Sequence, residues 1–166
     1  MKSLIVVAHN LRSAHNVGSL LRTAEGLGVD EVILTGYTPF PSLQADDPRL
    51  PHERLKVDKL IQKTALDAQL TQSWRRETDV FKVLDELRTS GYTITALEQT
   101  PDSIPFPSYI SADKQVIMHG REVEGMEAEV LAVCDQSIEI PMFGSKESFN
   151  VVQAAAMALY HCRFIA

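Results

Sequence analysis

The last quarter of the chain contains a helix-length apolar segment with little polar surface. Few of residues 149–164 are clearly polar: Asn150, Gln153, His161 and Arg163. Such a helix has no broad polar face, so we expect it to pack against protein on most sides. A serine or asparagine at its start, here Ser148 or Asn150, either caps the helix or belongs to a site. The segment therefore predicts a core helix with a polar N-terminal end.

The rest of the chain alternates short β-branched runs with segments of helical periodicity. Residues 3–8 and 31–34 are predicted strands, joined by a helix that ends near Gly26 and Gly28. Residues 35–51 contain four prolines, which predicts a long loop. The alternation then continues: helices at 59–68, 80–89 and 127–133, and strands at 92–98, 115–119 and 137–140. This pattern predicts a parallel sheet with helices on both faces.

The length of 166 residues suits a single domain over residues 1–166. No apolar run approaches the roughly 18 residues that a membrane-spanning helix requires. The first apolar run is broken at His9 and Asn10, too early for a secretory signal. No His or Cys cluster has the spacing of metal ligands. We therefore expect a cytoplasmic protein with no membrane association and no metal.

The net charge of −6 by itself argues against a polyanionic partner. The acidic excess is confined to residues 89–166, however, and nine of the 16 basic residues fall within residues 49–88. Nucleic-acid binding depends on local potential rather than on total charge. On charge alone, a nucleic-acid surface and a solvated mixed-charge surface are equally supported.

Three clusters of glycine and polar residues follow predicted strands, where open parallel sheets bind their ligands. The first comprises Asn16, Gly18 and Arg22. Helical side chains lean toward the N-terminus, so we expect Arg22 to lie over Gly18 beside Asn16. A guanidinium there suits a phosphate or a developing oxyanion. The alternative is a capping asparagine, a packing glycine and a surface arginine.

The second cluster spans residues 118–125, and the third joins residues 140–144 to Ser148 and Asn150. The second does not match the Gly-x-Gly-x-x-Gly dinucleotide fingerprint. Its glycines would let a ligand approach the backbone closely, and Glu122 would face a cationic or hydroxyl-bearing partner. Considered alone, such an acidic turn is also simply a turn.

In this order, the three clusters resemble the SpoU/TrmH family of SPOUT-class RNA methyltransferases, which modify the ribose 2′-hydroxyl. Residues 16–22, 120–125 and 140–150 resemble the family's first, second and third motifs. Residues 63–66 resemble the segment between its second strand and the next helix. The chain departs from the family pattern at a few positions, which leaves the substrate open: Asp67, Arg121, Phe149 and Val152.

The resemblance implies an α/β SPOUT domain, a mostly parallel sheet with helices on both faces. Its C-terminal segment, about residues 95–166, would thread a trefoil knot and hold the cofactor. It further implies S-adenosylmethionine as methyl donor and a homodimer whose active site draws on both subunits. The motifs indicate cofactor contacts, mostly through backbone, at seven positions: Leu97, Gly120, Ile140, Met142, Ser148, Asn150 and Val151.

For catalysis the resemblance indicates Arg22, with four residues that arrange the hydroxyl and the cofactor: Asn16, Glu122, Ser148 and Asn150. A guanidinium, with a pKa above about 12, is rarely neutral in proteins. We therefore interpret Arg22 as stabilising the developing alkoxide and binding the neighbouring phosphate, rather than as the base.

The implied partner is RNA, either tRNA or rRNA. The basic residues expected to contact it are six: Arg22, Arg49, Arg54, Lys56, Lys59 and Lys63. Two other interpretations stay open, a catalytically silent knotted RNA-binding protein and a base methyltransferase on the same scaffold.

Overall fold

The computed structural model describes residues 2–165. Strands and helices alternate along the chain: β1 Ser3–His9, α1 Ala14–Gly26, β2 Glu31–Thr35, α2 Pro51–Ala65, α3 Ala68–Thr71, β3 Trp74–Glu77, α4 Val80–Thr89, β4 Thr93–Leu97, β5 Ile104–Pro105, β6 Lys114–His119, α5 Ala128–Leu131, β7 Gln136–Glu139 and α6 Val151–Phe164. A short 3-10 turn, Phe106–Ser108, follows β5.

The strands form one parallel sheet in the order β3-β2-β1-β6-β4-β7-β5. Strand β1, in the interior of the sheet, is buried from Leu4 to His9 because helices cover both of its faces. One face packs against α1, α2 and α6, and the other packs against α4 and α5. The predicted α/β class, with a parallel sheet covered on both sides, is confirmed. All strands end at one edge, so the segments after them can meet there.

The segment between β2 and α4 differs most from the sequence prediction. Helix α2 begins at Pro51, eight residues earlier than expected, because proline fits the first helical turn and the Glu53 side chain accepts a hydrogen bond from the Leu50 N–H at 3.1 Å. Strand β3 was not predicted. Its Trp-Arg-Arg-Glu sequence has no apolar alternation. This edge strand pairs with β2, and Arg75 forms ion pairs with Glu31 of β2 and Glu86 of α4.

Helix α6 is exposed along one face only. Ala155, Ala158 and Leu159 are fully buried, but Tyr160 and Phe164 are 52% and 63% exposed. The expectation that this helix is covered on most sides therefore holds, except along the face that contains these two aromatic residues. The C-terminal end of α6 is anchored by Arg163, which donates to three backbone carbonyls: Lys2, Leu27 and Gly28.

Two further properties bear on function. None of the helices within residues 2–165 is long and apolar enough to cross a membrane. The same residues contain no group of three or more His, Cys, Asp or Glu side chains placed to hold a metal ion.

Cys134 and Cys162 are free thiols, and burial raises the pKa of each to about 11. Both therefore stay protonated at neutral pH.

Candidate functional site

A cavity of about 260 Å³ opens at the carboxyl ends of β4, β6 and β7. Its wall combines the second and third motif segments with the end of β4 and the first turn of α6: residues 97–99, 119–125, 138–140, Met142, 147–149, Val151 and Ala154. This is the edge where open parallel sheets bind ligands.

Two residues after β4 hold the loops around the cavity. The carboxylate of Glu98 accepts hydrogen bonds from the backbone N–H groups of Met126 at 2.9 Å and Gln99 at 3.1 Å. The side chain of Gln99 donates to the carbonyl of Glu147 at 3.0 Å. The end of β4 thus connects the second motif segment to the third. Sequence analysis missed both residues, because their partners are far away along the chain.

Gly120 lines the cavity, but its missing side chain is also explained by packing. A Cβ at this position would lie 2.9 Å from the Met126 Cα, closer than a Cβ approaches a carbon atom to which it is not bonded. The sequence interpretation attributed the glycine to close approach of a ligand, and that stays a prediction. Packing of the second motif loop is a second reason for a glycine here.

Asn16, Glu122 and Asn150 connect the three motif segments through side-chain hydrogen bonds. The Asn16 amide donates to Glu122 at 3.2 Å, and the Asn150 amide donates to the Asn16 oxygen at 3.4 Å. Glu122 also accepts from the backbone N–H groups of Arg12 and Ser13 at the start of α1. Segments more than 100 residues apart in sequence therefore meet at one point.

The Glu122 carboxyl is ionised at neutral pH. Burial acts to raise its pKa, but the hydrogen bonds from the Arg12 N–H, its own N–H, the Asn16 amide and the Ser13 N–H together lower the pKa below its usual value. A carboxylate at a helix N-terminus is also favoured by the helix dipole.

Six of the seven positions expected to contact the cofactor line the cavity: Leu97, Gly120, Ile140, Met142, Ser148 and Val151. The seventh, Asn150, does not line it. Its side-chain oxygen instead accepts a hydrogen bond from the Val152 N–H at 2.9 Å and so caps α6. The helix-cap interpretation of Asn150 and its contact with Asn16 therefore hold together. The cofactor role of all seven positions stays a prediction.

Arg22 lies apart from the cavity. It is exposed, forms no hydrogen bond or ion pair within residues 2–165, and lines a shallow depression together with Thr64 and Tyr160. The space over Gly18 is occupied by α2, since a Cβ there would lie 2.2 Å from the Ile61 carbonyl oxygen. The expected position of Arg22 over Gly18 is therefore wrong, and Gly18 is a packing glycine.

The five residues after β2 that are expected to contact RNA divide into two groups. Arg49 is bound within the loop: it pairs with the fully buried Asp47 carboxylate at 2.6 Å, donates to the Phe40 carbonyl at 2.8 Å and stacks on the Phe40 ring. Its selection as an RNA contact is corrected, because its donors are already used. The other four form no side-chain hydrogen bond or ion pair within residues 2–165: Arg54, Lys56, Lys59 and Lys63.

His119 is a cavity residue to which sequence analysis gave no role. It ends β6 directly before Gly120, is 2% exposed and lines the cavity. Burial lowers its pKa to about 4, so the imidazole is neutral at physiological pH. The available signal was a histidine directly after the apolar run Val116-Ile117-Met118, at the end of its strand.

A ligand-sized cavity lies at the carboxyl edge of a parallel sheet, and three motif segments are joined beside it. This is the arrangement of α/β proteins that bind a ligand at the carboxyl ends of their strands. The chain belongs to the SpoU rRNA Methylase family, whose model matches residues 3–160. Two relatives are named tRNA (guanosine(18)-2′-O)-methyltransferase. That of Borreliella burgdorferi is 27% identical over 157 residues, which are 95% of this chain and 64% of the relative. That of Aquifex aeolicus is 27% identical over 166 residues, which are 98% of this chain and 69% of the relative.

Solved structures show the same fold. An AdoMet-bound rRNA methyltransferase from Sinorhizobium meliloti matches with a TM-score of 0.81 at 19% identity, over 98% of this chain and 57% of that one. The A. aeolicus TrmH/SpoU tRNA modifying enzyme matches with a TM-score of 0.78 at 22% identity, over 98% of this chain and 75% of that one. The chain spans only part of the curated relatives that it matches, from 57% to 69% of their length.

Proposed function

We propose that this chain transfers a methyl group from S-adenosylmethionine to a ribose 2′-hydroxyl of tRNA or rRNA. The observation that carries the proposal is the junction of Asn16, Glu122 and Asn150 beside a cavity lined by the second and third motif segments. The names of the relatives support the reaction and the RNA substrate.

The cavity fits the proposed cofactor in its chemistry. Apolar side chains of Leu97, Ile138 and Ile140 offer a surface for an adenine ring. Five carboxylates also line the cavity and favour a cationic ligand such as a sulfonium: Glu98, Glu122, Glu124, Glu139 and Glu147.

Held by the residues that line the cavity, S-adenosylmethionine would supply an electrophilic methyl carbon to the ribose oxygen, with sulfur keeping the electron pair of the C–S bond and the hydroxyl proton passing to water. Glu122 and Asn150 hold Asn16 in place to orient the hydroxyl. Orientation matters because an in-line displacement needs the nucleophile behind the methyl carbon. Arg22 stabilises the developing alkoxide and binds the adjacent phosphate.

The position of Arg22 supports a homodimer. It lies in the same shallow depression as Tyr160, beside the uncovered face of α6, rather than in the cavity of its own chain. Apolar side chains on that face, Tyr160 and Phe164, are the kind that subunit interfaces bury. We infer that a second copy packs here and that Arg22 acts at a site completed by the partner.

The exposed face of α2 supports an RNA-binding surface. Lys56, Lys59 and Lys63 follow at spacings of three and four residues, so they form one stripe along the helix. Unpaired lysines in a row suit phosphates spaced along a nucleic-acid backbone. An RNA-modifying role also fits a cytoplasmic location.

The test is methylation of isolated tRNA or rRNA, followed by nuclease digestion and mass spectrometry of the nucleosides. We expect 2′-O-methylnucleosides from the wild-type protein. We expect none from Arg22→Ala or Arg22→Lys, because a point charge does not reproduce the guanidinium fork. Both variants should still bind the cofactor in calorimetry, and Arg88→Ala, on α4 at the opposite face of the sheet, serves as the arginine control.

Other products would overturn the proposal. Methylated bases without 2′-O-methylribose would indicate a base methyltransferase. RNA binding with no methyl transfer to any tRNA or rRNA fraction would indicate a catalytically silent RNA-binding protein.

A further inference from the structure

His119 faces the cavity because of its position in β6. Side chains alternate between the two faces of a strand, so His119 shares a face with Ile117 and Gln115. Ile117 belongs to the core cluster that includes Ala155 and Ala158 of α6. His119 therefore points toward α6, where Val151 and Ala154 form the opposite wall of the cavity.

Both ring nitrogens of His119 lack a hydrogen-bond partner within residues 2–165. The other buried histidines each have one: His9 Nδ1 lies 2.8 Å from the Thr35 hydroxyl, and His161 Nε2 lies 2.8 Å from the Tyr109 carbonyl oxygen. Gln115, on the same face of β6, uses both its amide oxygen and its amide nitrogen. On this face of β6, the unsatisfied polar side chain is therefore His119, which lies at the cavity end of the strand.

An unpartnered buried imidazole destabilises the fold, because its polar atoms lose water without gaining a protein partner. An apolar side chain at this position would avoid that loss. The two α6 residues that line the cavity, Val151 and Ala154, have aliphatic side chains and offer the imidazole no hydrogen bond. A polar ligand in the cavity, however, can supply the missing hydrogen bond.

We propose that the imidazole of His119 makes a direct hydrogen bond to a polar atom of S-adenosylmethionine and so positions the cofactor in the cavity. This inference rests on the proposed function. It assigns one side-chain contact to the cofactor, in a cavity whose other cofactor contacts are expected to be mostly through backbone atoms. His119 is a positioning residue here, with no part in bond making.

The test compares His119→Phe, His119→Asn and His119→Gln by calorimetric titration with S-adenosylmethionine and with S-adenosylhomocysteine. His119→Phe should weaken the binding of both by about tenfold, the value of one hydrogen bond. The ligand-free variant should also melt about 2–4 °C higher, because an unpaired polar group is gone. The Asn amide lies near the position of Nδ1 and the Gln amide near that of Nε2. The variant that restores affinity therefore identifies the ring nitrogen that forms the hydrogen bond.

A spectroscopic measurement tests the contact without substitution. The imidazole ¹⁵N shifts of His119 should move when either ligand saturates the wild-type protein, and those of His161 should not. His161→Phe is the matched control: it should leave affinity unchanged and lower the melting temperature, because it removes the partner of the buried Tyr109 carbonyl.

The outcomes separate this inference from the proposed function. If the wild-type protein binds both ligands and all three His119 variants bind them equally well, the inference is overturned and the proposed function stands. Unchanged ¹⁵N shifts at saturation would overturn it as well. If the wild-type protein binds neither ligand, both proposals fail.

Discussion

At the scale of single residues, Glu122 has two roles at the junction of the motifs. Its carboxylate accepts hydrogen bonds from backbone N–H groups at the start of α1 and from the Asn16 side chain. The first role satisfies a helix end that would otherwise have unpaired donors. The second orients an asparagine proposed to meet the substrate. One side chain thus couples the stability of α1 to the geometry of the site.

Glu122→Gln should lower stability at neutral pH by about 0.5–1 kcal/mol, because the charge at the helix N-terminus is lost. The folded-state pKa of Glu122 lies below its unfolded value, so this contribution is present above the unfolded pKa of about 4.3 and is lost as the pH falls through the folded pKa. Urea unfolding from pH 7 down to about pH 3 would therefore show the difference between wild type and variant shrinking in acid.

Asp102→Asn is the control for this experiment, because Asp102 is exposed, lies in a turn outside the helices and forms no side-chain hydrogen bond within residues 2–165. It should change stability little at any pH. A Glu122→Gln difference that stays constant down to the lowest pH would contradict the assigned role of the carboxylate.

At the scale of elements, the contact between α1 and α2 depends on a glycine. Gly18 brings the two helices so close that a Cβ would lie 2.2 Å from the Ile61 carbonyl oxygen and 2.3 Å from the Thr64 hydroxyl oxygen. The Thr64 hydroxyl also donates to the His15 carbonyl at 2.8 Å. The Lys-Thr-Ala-Leu sequence at 63–66 therefore includes part of the surface on which α1 packs.

Gly18→Ala should destabilise the protein by about 1–3 kcal/mol, because the added methyl overpacks this contact. Gly26→Ala is a matched control in the same helix: its Cβ would have no neighbour within 4 Å. It should be neutral or stabilising by up to about 1 kcal/mol, since alanine favours helix. Denaturant unfolding of the two variants measures both. Equal effects would contradict the close packing at Gly18.

The lysine stripe of α2 gives a second prediction at this scale. Replacing Lys56, Lys59 and Lys63 by glutamine should weaken RNA binding and reduce the slope of log K against log salt by about two, because fewer counterions are released. Cofactor affinity should stay the same, since none of the three lines the cavity.

Filter binding or fluorescence anisotropy at several salt concentrations measures this slope. Lys59→Gln can be compared with Lys82→Gln, which removes the same charge from α4 on the opposite face of the sheet. Equal losses from the two single variants would mean that RNA does not use the α2 stripe.

At the scale of the whole molecule, the uncovered face of α6 explains why an almost wholly apolar helix occurs near the end of the chain. The Tyr160 and Phe164 rings pack against each other with centroids 4.9 Å apart, and both remain exposed. Burial against a second copy would remove this apolar surface from water. It would also place Arg22 at a subunit boundary.

Tyr160→Asp should therefore convert a dimer into an 18.5 kDa monomer, because a buried unpaired carboxylate opposes association. Sedimentation equilibrium measures the mass directly. Phe81→Asp is the control, since Phe81 is a similarly exposed aromatic on α4, away from α6. A wild-type protein that sediments as a monomer, or a Tyr160→Asp variant that stays dimeric, would contradict the proposed interface.

The sequence by itself determined the features that depend on near neighbours in the chain. The alternation of strands and helices predicted the parallel sheet, and α4 was predicted at its exact bounds. The polar start of the last helix predicted the Asn150 cap. The three motifs identified the family now confirmed by its model. These features follow from local periodicity, capping and residue order, and all of them can be read from a linear chain.

Only the tertiary structure decided which distant residues meet. It showed that Glu98 and Gln99 hold both cavity loops, that Arg49 is used inside its own loop, and that His119 has no hydrogen-bond partner among residues 2–165. It also left one face of α6 bare. Contacts between different segments of the chain depend on strand order, loop path and helix packing, which local sequence patterns do not encode. The trefoil knot within residues 95–166 stays a prediction for the same reason, because it concerns the path of the whole chain.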